Sequence, residues 1–201
     1  MKIFTIVGTR PNFIKIDPSL PQTIVHTGQH YDYRMNQVFF SELEIPKPKF
    51  NLNCKGNELG KMIDRLTKLL KKERPSLVIV FGDTHSSLAG ALSASYLNIP
   101  VVHIEAGLRS YQPMPEEINR VLIDHLAKVK ICPNTYAAHN LLREGITKDV
   151  YVVGDPSFDS LCRFIPIKRT RNWRKYILLT LHRNFNVDNK NFNSVGDFRV
   201  G

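Results

Sequence analysis

The sequence predicts an α/β fold, a Rossmann-like, doubly wound parallel sheet with helices on both faces. Three observations carry that expectation. Short apolar, β-branched runs end repeatedly in glycine, as in KIFTIVG, TIVHTG and VYVVG. Helical stretches, amphipathic or rich in small residues, lie between these runs, and the turns joining them are short. At 201 residues the chain can bury one good core, with room for part of a second domain.

The elements follow in order. KIFTIVG (2–8) suits a strand buried on both faces. TRPNFIKIDPSL then opens a helix, with Thr9 as its cap and Pro11 near the first turn. TIVHTG (23–28) repeats the strand-to-glycine pattern, and YDYRMNQVFFSELEI (31–45) has helical character. NELGKMIDRLTKLLKKERP (57–75) is the clearest helix. Its Leu59, Met62, Ile63, Leu66, Leu69 and Leu70 form one apolar stripe with lysines opposite.

SLVIVFGD is a strand, and SSLAGALSASYLN is a small-residue helix able to pack closely on a sheet. VVHIEAG is a strand, PEEINRVLIDHLA a helix and KICPN a short strand. TYAAHNLLREG is a helix ending at Gly145, and VYVVGD a further strand. These elements make one domain over residues 1–165. A linker over 166–175 follows, and YILLTLH opens the incomplete start of a second domain over 176–201.

Composition narrows the function classes. An apolar fraction of 42% without low-complexity tracts argues for a globular protein. No apolar run reaches the roughly 18 to 20 residues needed to cross a bilayer, so no membrane partner is expected. MKIFTIVGTRPNF reads as a buried first strand rather than a signal peptide, because its apolar run is short and ends in a glycine turn. Cys54, Cys132 and Cys162 are odd in number, far apart and without zinc spacing. They read as reduced thiols of a cytoplasmic protein, with no metal site.

The net charge is +10. From Leu161 onward there are nine Lys and Arg against two Asp, so about seven of the ten excess charges lie in the last 41 residues. A basic surface favours anionic partners. Confinement to one end argues against a nucleic-acid footprint over the folded core.

In an open parallel sheet, ligands sit beyond the carboxyl ends of the strands. Four such ends carry unusual residues: GTRP (8–11), GQH (28–30), GDTHSS (82–87) and HIEAGLR (103–109). GTRP is not GxGxxG, so a nicotinamide or flavin cofactor has little support. Arg10 and Lys15 flank the first helix, whose N-terminus favours an anion. They read either as solvated cations or as a diphosphate clamp.

The acids also carry two readings each. Asp83 is either the N-cap of the helix after it or a ligand-facing carboxylate. Glu105 runs from an apolar strand into a glycine turn, so it is expected to be partly desolvated, with a pKa raised toward proton-transfer range. Arg109 could pair with it structurally. Pro115, Glu116 and Glu117 form an acidic first helical turn, for which dipole compensation is the plain explanation. His103 reads as a strand side chain, and His182 as the end of the 176–182 strand.

Taken together, GTRP…IK (8–15), TGQH (27–30), FGDT (81–84), HIEAGLRS (103–110), MPEEINR (114–120) and TLHR (180–183) resemble the non-hydrolysing UDP-N-acetylglucosamine 2-epimerases. The resemblance implies a two-domain fold of the glycosyltransferase-B type, of which this chain holds one half. It implies interconversion of UDP-N-acetylglucosamine and UDP-N-acetylmannosamine. Carbon 2 of that sugar has no free carbonyl beside it, so simple deprotonation would be slow. The family's route is elimination of UDP to 2-acetamidoglucal, then re-addition with protonation of the opposite face.

Carried over by position, Asp83, Glu105 and Glu116 match the family's catalytic acids and His182 its catalytic histidine. Arg10 and Lys15 match nucleotide-binding positions. Gln29 and His30 match a motif near the cleft, and Arg109 joins the substrate-binding candidates. The resemblance implies no cofactor, and as partners UDP-N-acetylglucosamine and a homodimer or a complementing C-terminal-domain chain. The sequence departs from the family at two places: Phe185 stands where a Glu is usual, and Asn12 where an acid is common. Family members are also much longer, so a catalytically silent UDP-sugar binding module is the alternative to an enzyme.

Overall fold

A computed structural model describes residues 1–30, 44–56 and 58–164. The helical character expected for 31–43, the linker, the 176–182 strand and His182 lie outside the described residues. The chain forms a compact unit over residues 1–166.

The described elements run β1 (Ile3–Val7), α1 (Arg10–Ile14), β2 (Thr23–His26), β3 (Phe50–Asn51), α2 (Leu59–Glu73), β4 (Leu77–Phe81) and α3 (His85–Tyr96). They continue with β5 (Val101–Ile104), α4 (Pro115–Leu126), β6 (Val129–Cys132), α5 (Thr135–Arg143), β7 (Val150–Val152) and α6 (Pro156–Phe164). The seven strands form one sheet in the order β3-β2-β1-β4-β5-β6-β7, and every pair is parallel. The order reverses between β1 and β4, the point at which such sheets take ligands at their carboxyl edge.

The apolar runs become central strands for the expected reason. All five residues of β1 are buried, and alternate side chains enter opposite faces. Phe4 and Ile6 join a core with Met62, Leu66 and Leu70 of α2 and the small face of α3. Ile3 and Val7 join Phe13, Ile16, Ile79 and Phe81 on the other face. In α2, Met62, Leu66 and Leu70 repeat every four residues and are fully buried, while Arg74 ends the helix in a left-handed conformation (φ 45°).

Three local readings change. Thr84, and not Asp83, caps α3, its side chain accepting from the backbone N–H of Ser87. α1 is only five residues long, because Pro18 disfavours helical backbone at Asp17 just beyond it. β3 and α6 form where the sequence reading assigned nothing; both rely on tertiary contact, β3 pairing with β2 and α6 reaching α1 through Ser160 Oγ on the Ile14 carbonyl. Among the described residues, no helix is long and apolar enough to cross a membrane.

Candidate active site

The loops after β1, β2, β4 and β5 meet at the carboxyl edge of the sheet, and buried polar contacts bind them to one another. Asn12 is 1% exposed. Its Oδ1 accepts from the N–H of Gly8 (3.3 Å) and from the hydroxyl of Thr9 (3.0 Å). Its Nδ2 donates to the Phe81 carbonyl (3.2 Å), tying the first loop to the end of β4. Gln29 is also buried, and its Oε1 accepts from the N–H (3.1 Å) and hydroxyl (2.7 Å) of Ser86. Gln29 thus joins the loop after β2 to the start of α3.

Glu105 follows β5 directly and has φ 71°, a left-handed backbone conformation that a non-glycine residue adopts at a cost of about 1 kcal/mol or more. The turn aims its carboxylate at Lys15, with which it forms an ion pair. Both side chains are largely out of water, at 10% and 15% exposure. Gly82 makes room for the pair: it has φ +58°, and a Cβ there would lie 2.8 Å from Glu105 Oε2. Lys15 is therefore not a free cation at the helix end but the partner of Glu105.

Asp83 sits one residue beyond Gly82. Free of capping duty, its carboxylate pairs with the guanidinium of Arg120 in α4, and its carbonyl accepts from Asn119 Nδ2 at 2.8 Å. Arg120 also reaches Glu117 Oε2 at 3.2 Å. Glu117 does more than offset the helix dipole. It accepts from the N–H (2.9 Å) and hydroxyl (2.7 Å) of Ser110, fastening the loop after β5 to α4. Burial pushes its carboxyl up, but the Ser110 hydrogen bonds and Arg120 hold it below the usual range. Glu116 is half-buried on the same first turn.

Arg10 is exposed at the start of α1, where its backbone N–H donates to His30 Nδ1 (3.4 Å). Burial, and then the charge of Arg10, lower the His30 pKa. Arg109 behaves differently from expectation. Its side chain is 1% exposed and does not meet Glu105. It grips Glu144 through Nε and Nη2 (both 2.7 Å) and Asp124 through Nη1 (2.8 Å). Four hydrogen bonds inside the fold make it a structural anchor for the HIEAGLR loop.

Asp124, Asn119 and Arg120 are site-supporting residues that sequence reasoning passed over. A signal existed: Asn119 and Asp124 fall beside Ile123 on the buried face of α4, where polar groups need partners. Among the described residues, no cluster of metal-ligating side chains is present.

The model of the UDP-N-acetylglucosamine 2-epimerase family matches residues 13–198. The chain belongs to that family. The UDP-N-acetylglucosamine 2-epimerase of Methanocaldococcus jannaschii is 46% identical to this chain over 94% of it, and 59% of that relative is covered. The UDP-2,3-diacetamido-2,3-dideoxy-D-glucuronate 2-epimerase of Pseudomonas aeruginosa is 43% identical over the same shares. The crystal structure of the Methanocaldococcus jannaschii UDP-GlcNAc 2-epimerase in complex with UDP-GlcNAc and UDP superposes with a TM-score of 0.84 at 45% identity. It covers 94% of this chain and 59% of that one. The Neisseria meningitidis UDP-GlcNAc 2-epimerase bound to UDP-GlcNAc gives a TM-score of 0.73 at 36% identity, over 81% and 48%. This epimerase-family chain thus spans less than two thirds of the length of the relatives it matches.

Proposed function

We propose that the chain carries the acid-bearing half of a UDP-N-acetylglucosamine 2-epimerase, in a two-domain glycosyltransferase-B type fold. The observation that supports it most is the meeting of two ion pairs from distant loops, Glu105 with Lys15 and Asp83 with Arg120, at the switch point of the sheet. The substrate class is a UDP-linked 2-acetamido sugar, the feature common to the names of the relatives above, with UDP-N-acetylglucosamine as the specific substrate. Residues 1–165 form the first domain, 166–175 the linker and 176–201 the start of the second.

In the reaction so assigned, a carboxylate among Asp83, Glu105 and Glu116 takes the proton from carbon 2. The bond from carbon 1 to the diphosphate oxygen breaks, UDP departs with the electron pair, and 2-acetamidoglucal remains. Re-addition of UDP at carbon 1 and protonation of carbon 2 on the opposite face complete the epimerisation. Arg10 supplies an exposed cation for the diphosphate, and His182 is the contribution of the second domain. No cofactor takes part. We place the reaction in the cytoplasm, with a homodimer or a complementing C-terminal-domain chain as the protein partner.

Incubation with UDP-N-acetylglucosamine, following the manno epimer and free UDP by NMR, tests this reading. Turnover supports it. Absence of turnover together with a melting temperature unmoved by UDP overturns it for this chain. A rise in melting temperature without turnover supports the second reading, a UDP-sugar binding module.

A further inference from the structure

The Asp83 turn is held from behind by a buried histidine that the proposed chemistry does not use. His103 is 0% exposed, in mid-strand of β5. Its Nε2 lies 2.9 Å from the Gly82 carbonyl oxygen, and its Nδ1 lies 2.7 Å from Asp124 Oδ1. A carbonyl oxygen only accepts, so Nε2 carries a proton. Asp124 also accepts from Gly107 N–H (3.1 Å) and Arg109 Nη1 (2.8 Å) through its other oxygen. It is surrounded by donors, as an ionised carboxylate requires, and a bare lone pair on Nδ1 would face that anion at close range.

We propose that His103 is a positioning residue of this site. With protons on both ring nitrogens, it bridges Asp124 of α4 to the Gly82 carbonyl and so fixes the Gly82–Asp83 turn against the helix that carries Glu116 and Arg120. The surroundings suit a two-proton ring. Asp124 and Glu144 oppose Arg109 and His103 in one chain of charge, buried except at Glu144, which is 28% exposed. Lys130, paired with His103 in strand register, turns its ammonium to the Ala127 and Lys128 carbonyls (both 3.2 Å). The catalytic meaning of the clamp rests on the reading of Asp83 as a reacting carboxylate; the clamp itself does not.

The test is long-range ¹H–¹⁵N NMR of the full chain near neutral pH. His103 is expected to show two ring N–H protons protected from solvent exchange, in contrast to exposed His139. Asp124→Asn, which keeps the side-chain shape, is expected to remove the Nδ1 proton and to move the Asp83 amide resonance while α2 resonances stay in place. If that variant does not fold, the ring-proton count in the unaltered chain decides. A single ring proton overturns the proposal, as does an Asp83 amide that stays fixed in a folded Asp124→Asn chain. Failure of UDP to bind would strike the epimerase reading and leave both resonances readable, so the two failures separate.

Discussion

Lys15 at the end of α1 holds the carboxylate of Glu105, ninety residues further along the chain, in an ion pair almost withdrawn from water. Each charge was removed from solvent for the sake of the other. Removal of one partner strands the second. Lys15→Met is expected to lower stability by about 2 kcal/mol, read from urea unfolding at neutral pH. Lys15→Met combined with Glu105→Leu is expected to recover part of that loss. A single variant as stable as the parent chain would show that the pair is solvated.

Gly82 is the empty space beside that pair. Gly82→Ala places a methyl 2.8 Å from Glu105 Oε2 in a backbone conformation that favours glycine. We expect a loss of about 1–3 kcal/mol and a displaced Glu105 carboxylate. An unchanged melting temperature would contradict the close approach.

Asp124 gives stability a defined acid limb. Burial pushes its carboxyl up, but hydrogen bonds and charge from His103, then from Arg109, outweigh burial and hold it below its ordinary 3.8. A depressed folded-state pKa means stabilisation that is complete above the unfolded value. It is lost as pH falls through the lower folded value. Melting temperature is therefore expected to drop below about pH 4, and the drop to be shallower in Asp124→Asn. Parallel profiles for the two proteins would assign the acid limb to other groups.

The three thiols separate by environment. Burial pushes Cys132 up to about 11 and raises Cys54, whereas Cys162 is exposed on α6. A buried thiol that stays protonated is a poor nucleophile. Alkylation by iodoacetamide at neutral pH is expected to modify Cys162 first, with Cys54 and Cys132 reacting only after denaturation. Mass spectrometry of the peptides checks the order, and early labelling of Cys132 would refute its burial.

Asp83 and Glu116 are proposed to act in proton transfer and are tested by neutralisation. Where turnover is measured, Asp83→Asn and Glu116→Gln are each expected to reduce it by about 10²- to 10⁴-fold. Both should keep an unfolding free energy within about 1 kcal/mol of the parent, read from urea unfolding. Full activity in either variant removes that residue from the proton-transfer set.

Most strands and helices and their order were legible because they depend on local pattern: β1 is apolar along its whole length, and α2 repeats its apolar residues at helical spacing; β3 and α6, which rely on tertiary contact, were not. The strand-end motifs were legible for the same reason, each being a few adjacent residues. What each charge does was settled only by the folded chain. Arg109 lies four residues from Glu105 yet binds Asp124 and Glu144, and Asp83 gives its capping role to Thr84 and takes Arg120 as partner. Sequence spacing fixes which face of an element a side chain occupies. The partner across the gap is chosen by packing of elements that lie 37 residues apart for Asp83 and Arg120, and 35 for Arg109 and Glu144.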